Sequence, residues 1–311
     1  MKIAFCYPGQ GVLKTGMAQE FVLSDSRAAL MLDKASAAAE LDMRALLFEE
    51  NEKINITEYT QPALVTACMI MTESLLAKGV RPDIAAGLSL GEYCALTVAG
   101  AMSFEDAVRI TRIRGRLMAG AVPAGEGAMA AVIGLESGVI EQAIKDIEGC
   151  YIANYNCPGQ IVITGRKASV EEAMVRLTGA GARKVVPLNV SGPFHSPMLK
   201  KCGEELGKAL AEISIKKPEI PYIANVTAQI VTDGKEIRPL LQKQVASPVR
   251  WEQTLLRLKE SGVGLIVEIG PGKTIAGFCK KTCPETEVVS VGCVGDIDKV
   301  LEAISIKEHV S

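Results

Sequence analysis

The chain has 311 residues, of which 48% are hydrophobic and 23% charged, with a formal net charge of −2. This length and apolar content predict one large domain and a smaller one, and the charge argues against nucleic-acid or anionic-membrane binding. The first apolar segment reaches Pro8-Gly9 too soon for a signal peptide, and the apolar run 63–71 is too short to cross a membrane. The nine cysteines form no CxxC pair, so we expect a cytoplasmic protein with reduced thiols and no metal site.

Short apolar strands alternate with amphipathic helices, which predicts an α/β fold with a largely parallel sheet. Buried strands are predicted at 3–7, 84–87 and 264–268, and each ends at a loop that carries Gly or Ser. Ligands of open α/β sheets bind beyond the carboxyl ends of the strands. We therefore expect these three loops to meet at one site.

Two glycine-rich loops resemble nucleotide-binding motifs without completing them. Gly9-Gln10-Gly11 follows the first strand, but the dinucleotide fingerprint needs a third glycine where Lys14 stands. Gly270-Pro271-Gly272-Lys273-Thr274 resembles the end of a phosphate-binding loop, but that motif needs glycine where Val267 stands. We predict that neither loop binds a nucleotide.

Gly87-Leu88-Ser89-Leu90-Gly91 fits the G-x-S-x-G pattern of a nucleophile elbow. The residues before it, 80–86, predict a turn and a short strand, and those after it, 92–99, predict a helix. This context exposes a serine hydroxyl at a helix N-terminus, where free N–H groups favour developing negative charge. Ser89 is therefore predicted as a nucleophile, with a plain helix N-cap as the alternative.

An activated serine usually needs a histidine as its base, and the chain has two histidines. His309 lies two residues from the C-terminus, where chains often fray. His195 lies in a loop between Pro193 and Pro197. A histidine on such a loop is often only a surface or packing residue. We predict His195 as the base for Ser89 because no other histidine can serve.

The middle of the chain predicts a separate unit. Strands at 127–134, 151–154, 160–164 and 184–187 combine with helices at 137–147 and 169–178. Their order, β-α-β-β-α-β, is ferredoxin-like. We predict a core formed by residues 1–124 and 190–311, with a small subdomain at 125–189 inserted between Ser89 and His195.

Seven motifs follow one another along the chain: YPGQG (7–11), GLSLGEY (87–93), RIRGRLM (112–118), NCPGQ (156–160), GPFH (192–195), QVASPVRW (244–251) and EIGPG (268–272). In this order they resemble the malonyl-CoA:acyl carrier protein transacylases of bacterial type II fatty acid synthesis. The resemblance implies a hydrolase-like α/β core with a ferredoxin-like insertion. It also implies malonyl transfer from coenzyme A to a carrier protein through a serine ester, without a cofactor.

The resemblance also assigns the reacting groups. Ser89 would be the nucleophile and His195 the general base. The backbone N–H groups of Gln10 and Leu90 would donate to the oxyanion. The main-chain carbonyl of Gln244 would orient the imidazole, where serine hydrolases normally use a carboxylate.

Substrate choice is implied at three further positions. Arg114 matches the family's carboxylate-binding position, and its planar guanidinium can bind a malonyl carboxylate through two parallel hydrogen bonds. Phe194 resembles the malonyl-selecting form of its loop, since a bulky ring leaves little room for a 2-methyl branch. Gln160 is expected to help line the pocket. Position 88 departs from the family, which usually has histidine where this chain has Leu88.

The sequence also allows alternative functions. The same chemistry can serve a polyketide pathway, and a serine thioesterase or esterase can share the core. A non-catalytic carrier-binding module is a further alternative, against which the Ser89 and His195 pair argues. The acyl carrier protein is expected to be a transient, acidic partner of a monomeric enzyme, and Lys200-Lys201 and Lys280-Lys281 are candidate docking sites.

Overall fold

Two sheets organise the computed structural model, which describes residues 1–190 and 192–308. The strands of this described part are β1 (Lys2–Tyr7), β2 (Ile84–Gly87), β3 (Gly127–Ile133), β4 (Cys150–Cys157), β5 (Gln160–Arg166), β6 (Lys184–Pro187), β7 (Tyr222–Ile223), β8 (Ile230–Val231), β9 (Val249–Arg250), β10 (Val263–Ile269) and β11 (Glu287–Val291).

Helices surround both sheets. They are α1 (Gln19–Ser24), α2 (Ser26–Ala39), α3 (Met43–Phe48), α4 (Thr57–Ala77), α5 (Gly91–Val98), α6 (Phe104–Ala119), α7 (Ser137–Ile144), α8 (Lys167–Gly179), α9 (Lys200–Ala211), α10 (Gly234–Gln244), α11 (Trp251–Glu260), α12 (Thr274–Thr282) and α13 (Asp296–Glu308), with 3₁₀ turns at Glu52–Asn55 and Pro197–Leu199. Among these helices, none has both the length and the apolar character that crossing a membrane needs.

The first sheet has the order β11-β10-β1-β2-β7-β8, and all its pairs are parallel except β7 with β8. The predicted largely parallel sheet is therefore confirmed, and the three predicted buried strands differ from the observed ones by at most one residue at each end. Residues 4–7 of β1 are all buried, as expected for a strand covered on both faces. The carboxyl ends of β10, β1 and β2 lie side by side, with Tyr7 opposite Gly87.

Helices α4 and α6 pack against each other beside this edge. A Cβ atom at Gly115 would lie 2.5 Å from the carbonyl oxygen of Thr57, so only glycine allows the two helices to come so close. This close packing brings Arg114 of α6 to Gln61 of α4, and both side chains are buried.

The second sheet has the order β6-β3-β5-β4-β9. Its first four strands and helices α7 and α8 follow the predicted ferredoxin-like order, and the three pairs among these strands are antiparallel. The fifth strand, β9, comes from outside the insertion and pairs in parallel with β4. Two residues carry too little periodicity to predict a strand, so β9 was missed. The domain boundaries at 124/125 and 189/190 stay a prediction.

The loop that resembles a phosphate-binding motif has another role in the fold. Glu268 of β10 accepts hydrogen bonds from the N–H groups of Ile275 and Ala276 at 2.8 and 3.1 Å. Its carboxylate therefore occupies the N-terminus of α12, where a phosphate would otherwise be favoured.

Candidate active site

Ser89 lies on the sharp turn between β2 and α5. Its φ is +50°, a left-handed conformation that is costly for a residue with a side chain. A Cβ atom at Gly87 would lie 2.0 Å from Gly91, and one at Gly91 would lie 2.3 Å from the carbonyl oxygen of Tyr7. Glycine at both positions therefore allows the strained turn to form.

Asn225 holds this turn from outside. Its Oδ1 accepts from the Ser89 N–H at 2.6 Å, and its Nδ2 donates to the Gly87 carbonyl at 2.6 Å. The Asn225 side chain is fully buried, so these bonds are shielded from water. They satisfy two backbone groups of the turn and help to offset its strain.

The loop after β6 brings His195 to the serine. Ser89 Oγ lies 2.7 Å from His195 Nε2, and Nδ1 lies 2.9 Å from the main-chain carbonyl oxygen of Gln244. Because a carbonyl oxygen only accepts, Nδ1 carries the proton and Nε2 presents its lone pair to the hydroxyl. This is the geometry of a nucleophile and its base. His309, the other histidine, lies outside the described residues.

His195 is buried and close to a cation, and both conditions disfavour its charged form. Burial and the Arg114 charge lower its pKa to about 4, although hydrogen bonds to backbone groups of Gln244 and Ser247 oppose the shift. The imidazole is therefore neutral near pH 7 and able to accept the Ser89 proton.

A cavity of about 270 Å³ opens above Ser89 and His195. Gln10 and Leu90 both line it. The turn that carries Gln10 packs directly on the elbow, because a Cβ atom at Gly9 would lie 3.0 Å from the Leu88 carbonyl oxygen. The described chain supplies no hydrogen-bond acceptor for the backbone N–H of Gln10 or of Leu90. Two free donors beside the nucleophile are what an oxyanion hole requires.

Arg114 enters the same cavity from α6 with only 1% of its surface exposed. It donates to Gln61 Oε1 at 2.8 Å, to Gln244 Oε1 at 2.9 Å and to Ser89 Oγ at 3.2 Å. In the part of the chain that the structure describes, its Nε has no hydrogen-bond partner. A buried cation with a free donor beside a nucleophile is suited to an anionic acyl group.

The neighbouring arginines lie elsewhere. Arg116 is exposed, and Arg112 is half-buried against Glu58, with 3.6 Å between Arg112 Nε and Glu58 Oε1. The 3.6-residue helical period places these side chains on other faces of α6. Only Arg114 of the three reaches the cavity.

The remaining predicted positions fall into two groups. Phe194 is buried, and both Phe194 and the half-buried Leu88 line the cavity. Gln160 is not among the lining residues, and its Oε1 accepts instead from Lys281 Nζ at 3.2 Å. The sequence expectation for Gln160 rested on resemblance alone, which could not show that its side chain turns to α12.

Three buried polar residues of the site were missed from the sequence. They are Gln61, Glu92 and Asn225, all at most 1% exposed. Glu92 could have been noticed, because a charged residue on the otherwise apolar helix Gly91–Val98 is unusual. Asn225 and Gln61 lie in ordinary surroundings, so only the folded chain reveals them. In the described residues, no cluster of His, Cys, Asp or Glu forms a metal site.

Comparisons with known proteins identify the family. Residues 4–307 match the family model of the acyl transferase domain. The malonyl CoA-acyl carrier protein transacylase of Bacillus subtilis (strain 168) is 40% identical over 308 residues, which cover 97% of each chain.

Solved structures give the same result. The malonyl CoA-acyl carrier protein transacylase of Clostridium perfringens superimposes with a TM-score of 0.96 at 37% identity, covering 100% of this chain and 99% of that one. A malonyl-transacylase solved in complex with a type II PKS acyl-carrier protein superimposes with a TM-score of 0.94 at 35% identity, covering 97% of this chain and 100% of that one. The serine elbow, the buried arginine and these matches together lead to one conclusion: the chain belongs to the acyl transferase family.

Proposed function

We propose that this protein transfers malonyl from coenzyme A to the pantetheine thiol of an acyl carrier protein, and so supplies fatty acid synthesis. The observation that carries the proposal is the Arg114 guanidinium, buried and 3.2 Å from Ser89 Oγ. In malonyl thioesters the carboxylate is one methylene from the carbonyl that reacts. A cation beside the nucleophile therefore meets the carboxylate when the carbonyl is in place.

The first step forms an ester on Ser89. His195 Nε2 takes the hydroxyl proton while Ser89 Oγ attacks the thioester carbonyl, whose electron pair moves onto oxygen. The free N–H groups of Gln10 and Leu90 donate to this oxyanion, and each such donor is typically worth about 3 kcal/mol. The tetrahedral intermediate collapses, the C–S bond breaks, and coenzyme A leaves with the proton from His195.

The second step reverses these roles with a different thiol. The carrier's pantetheine thiol gives its proton to His195 and attacks the malonyl ester carbonyl. The C–O bond to Ser89 breaks, and Ser89 Oγ recovers a proton from His195. One difficult exchange is thus divided into two displacements, which predicts ping-pong kinetics.

The partner of the imidazole favours a thiol acceptor over water. The Gln244 carbonyl is neutral, so it stabilises imidazolium less than a carboxylate would. With its pKa at about 4, His195 is a weak base. A thiol, which is far more acidic than water, needs less help from a base. Transfer is therefore expected to exceed hydrolysis of the malonyl ester.

The test follows both half-reactions. The protein is incubated with malonyl-CoA, with and without pantetheinylated acyl carrier protein, and free thiol, free malonate and malonyl-carrier are measured separately. Intact mass should show one malonyl group on the wild type and none on Ser89→Ala, the matched control. Malonate release without malonyl-carrier would instead support a thioesterase, and absence of any adduct would support a non-catalytic carrier-binding module.

A polyketide carrier is the second candidate acceptor. The similarity to a malonyl-transacylase solved with a type II PKS acyl-carrier protein favours including it. Comparing kcat/KM for a fatty acid carrier and a polyketide carrier decides between the two pathways. Three expectations stay predictions: that the protein is a monomer, that it needs no cofactor and that it is cytoplasmic. Light scattering tests whether it is a monomer.

A further inference from the structure

Glu92 is a buried carboxylate that the two transfer steps do not use. It lies in the first turn of α5, three residues after the nucleophile, and only 1% of its surface is exposed. A buried carboxylate is costly to ionise unless nearby groups compensate for the lost water. Its hydrogen bonds therefore indicate what it does in the folded protein.

Those hydrogen bonds lead to one residue of the site. Glu92 Oε2 accepts from Gln244 Nε2 at 2.6 Å and from the Asn225 N–H at 3.2 Å. Gln244 is itself fully buried. Its Nε2 also donates to the Ser89 carbonyl at 2.9 Å, and its Oε1 accepts from Arg114 at 2.9 Å. Its main-chain oxygen holds the imidazole of His195. Gln244 thus contacts the nucleophile, the base and the cation together.

Glu92 and the Ser89 carbonyl together set which way the Gln244 amide faces, and the bond to Glu92 is the shorter of the two. An ionised carboxylate only accepts hydrogen bonds, so the amide must turn its NH₂ group toward Glu92. The amide oxygen then faces Arg114, which only donates. If the carboxylate took up a proton, this charge-assisted bond would be lost, and the Ser89 carbonyl alone would hold the amide NH₂ in the orientation that keeps Oε1 on Arg114.

The charge of Glu92 also reaches Arg114. The titratable and charged groups that face Glu92 are Arg114 of α6, Tyr93 of its own helix and Tyr222 of β7. Burial raises the pKa of Glu92 to about 7, while Gln244, the Asn225 N–H and Arg114 act in the opposite direction. Glu92 therefore changes charge near neutral pH, in the range where the enzyme would work.

We propose that Glu92 is a positioning residue whose ionised carboxylate, acting through the side chain of Gln244, holds Arg114 in the orientation that receives the acyl carboxylate. This inference rests on the proposed malonyl transfer. It makes Glu92 a determinant of the preference for malonyl over acyl groups without a carboxylate.

A double-mutant cycle tests whether the effect passes through Gln244. At pH 8, Glu92→Gln should lower kcat/KM for malonyl-CoA about tenfold, within the range found for coupled neighbours, and change acetyl-CoA turnover less than about twofold. Gln244→Ala keeps the main-chain carbonyl that holds His195 and removes the side-chain bonds to Glu92, to Arg114 and to the Ser89 carbonyl. In the Gln244→Ala background, Glu92→Gln should lower kcat/KM for malonyl-CoA by less than about a further twofold.

The pH profile separates positioning from a merely structural role. For wild type, kcat/KM with malonyl-CoA should fall as the pH drops through about 7, where Glu92 takes up a proton. This fall should be absent in Glu92→Gln and in Gln244→Ala. In both variants kcat/KM should fall only near pH 4, where His195 takes up a proton. The Gln244→Ala profile keeps the test valid even if Glu92→Gln fails to fold.

The thermal stability of Glu92→Gln should not fall together with its activity. Burial raises the pKa of Glu92 in the folded protein from 4.5 to about 7. The free energy of unfolding therefore falls as the pH rises across this range, because the folded protein holds the proton more tightly than the unfolded chain does. A neutral amide removes that cost, so Tm of Glu92→Gln at pH 8 should equal or exceed that of wild type. Glu268→Gln is the matched control: it replaces another buried carboxylate, which accepts from the N-terminus of α12, and should leave the malonyl-to-acetyl ratio unchanged.

The outcomes are distinct. Wild-type protein that forms no malonyl-carrier overturns the proposed function. If the wild type transfers malonyl but Glu92→Gln keeps the wild-type malonyl-to-acetyl ratio and the fall in kcat/KM near pH 7, only the inference about Glu92 is overturned. The inference is also overturned if Glu92→Gln still lowers kcat/KM for malonyl-CoA about tenfold in the Gln244→Ala background. A loss of Tm in Glu92→Gln that accompanies its loss of activity overturns it as well.

Discussion

The six-stranded sheet and the inserted sheet differ in what they bury. Beyond the strand ends of the first sheet lies a connected set of buried polar side chains: Gln61, Glu92, Arg114, His195, Asn225 and Gln244. The inserted sheet instead covers a core of apolar side chains: Ala130, Val132, Ile140, Ile144, Ile147, Cys150, Ile152, Ile161, Ile163, Val170, Ala173 and Leu177. The first arrangement buries hydrogen-bonded polar groups, and the second buries apolar surface alone.

The two regions also differ in how they are assembled along the chain. Ser89 and His195 are 106 residues apart, and Ser89 and Gln244 are 155 apart. The inserted sheet uses neighbouring segments, apart from β9. It still contributes a wall of the cavity through Met129, Asn154, Asn156 and Val162. A locally assembled unit can therefore be predicted well from sequence, whereas a site assembled over long distances depends on the whole fold.

The largest effect on activity is expected from a substitution in the buried polar set. His195→Ala should lower kcat/KM for malonyl transfer by about 10²–10⁴-fold, because Ser89 loses its base. The measurement is malonyl-carrier formed per unit time at pH 8. Tm should stay within a few degrees of wild type if the loss is catalytic. Activity within threefold of wild type would show that another group takes the Ser89 proton.

A smaller effect is expected at the cation. Arg114→Ala should lower kcat/KM for malonyl-CoA by roughly 10–100-fold, the equivalent of losing charge-assisted hydrogen bonds. Acetyl-CoA, which has no carboxylate, should be affected much less. Competition between the two thioesters measures the ratio directly. Arg116→Ala, on an exposed face of the same helix, is the control, and an unchanged malonyl preference in Arg114→Ala would exclude the carboxylate role.

The smallest effect on activity is expected in the inserted sheet. Ile163→Ala should lower the free energy of unfolding by about 2–5 kcal/mol, because it opens a cavity among fully packed residues. The change lies outside the polar set, so kcat/KM at a temperature below unfolding should stay within about twofold of wild type. Chemical denaturation and the transfer assay measure the two quantities. A large loss of kcat/KM without loss of stability would mean that the two regions are more tightly coupled than the packing indicates.

Much of the fold was predictable, because hydrophobic periodicity and turn residues act locally. The strands at 84–87 and 184–187 were predicted with their observed bounds, and the ferredoxin-like order followed from alternation of short patterns. β9 was not predictable, since a strand of two residues forms only because β4 offers it a free edge.

The sequence by itself determined the α/β class, the glycine-bounded turn at Ser89, and His195, Gln10, Leu90 and Arg114 as candidates for one site. Only the tertiary structure decided that Gln160 turns to Lys281 and that Asn225, Gln61 and Glu92 turn toward the elbow and the cation. The physical reason is that a turn or a helix face depends on neighbouring residues. The hydrogen-bond partner of a buried side chain depends on which distant segment packs against it, and that segment is set by the fold as a whole.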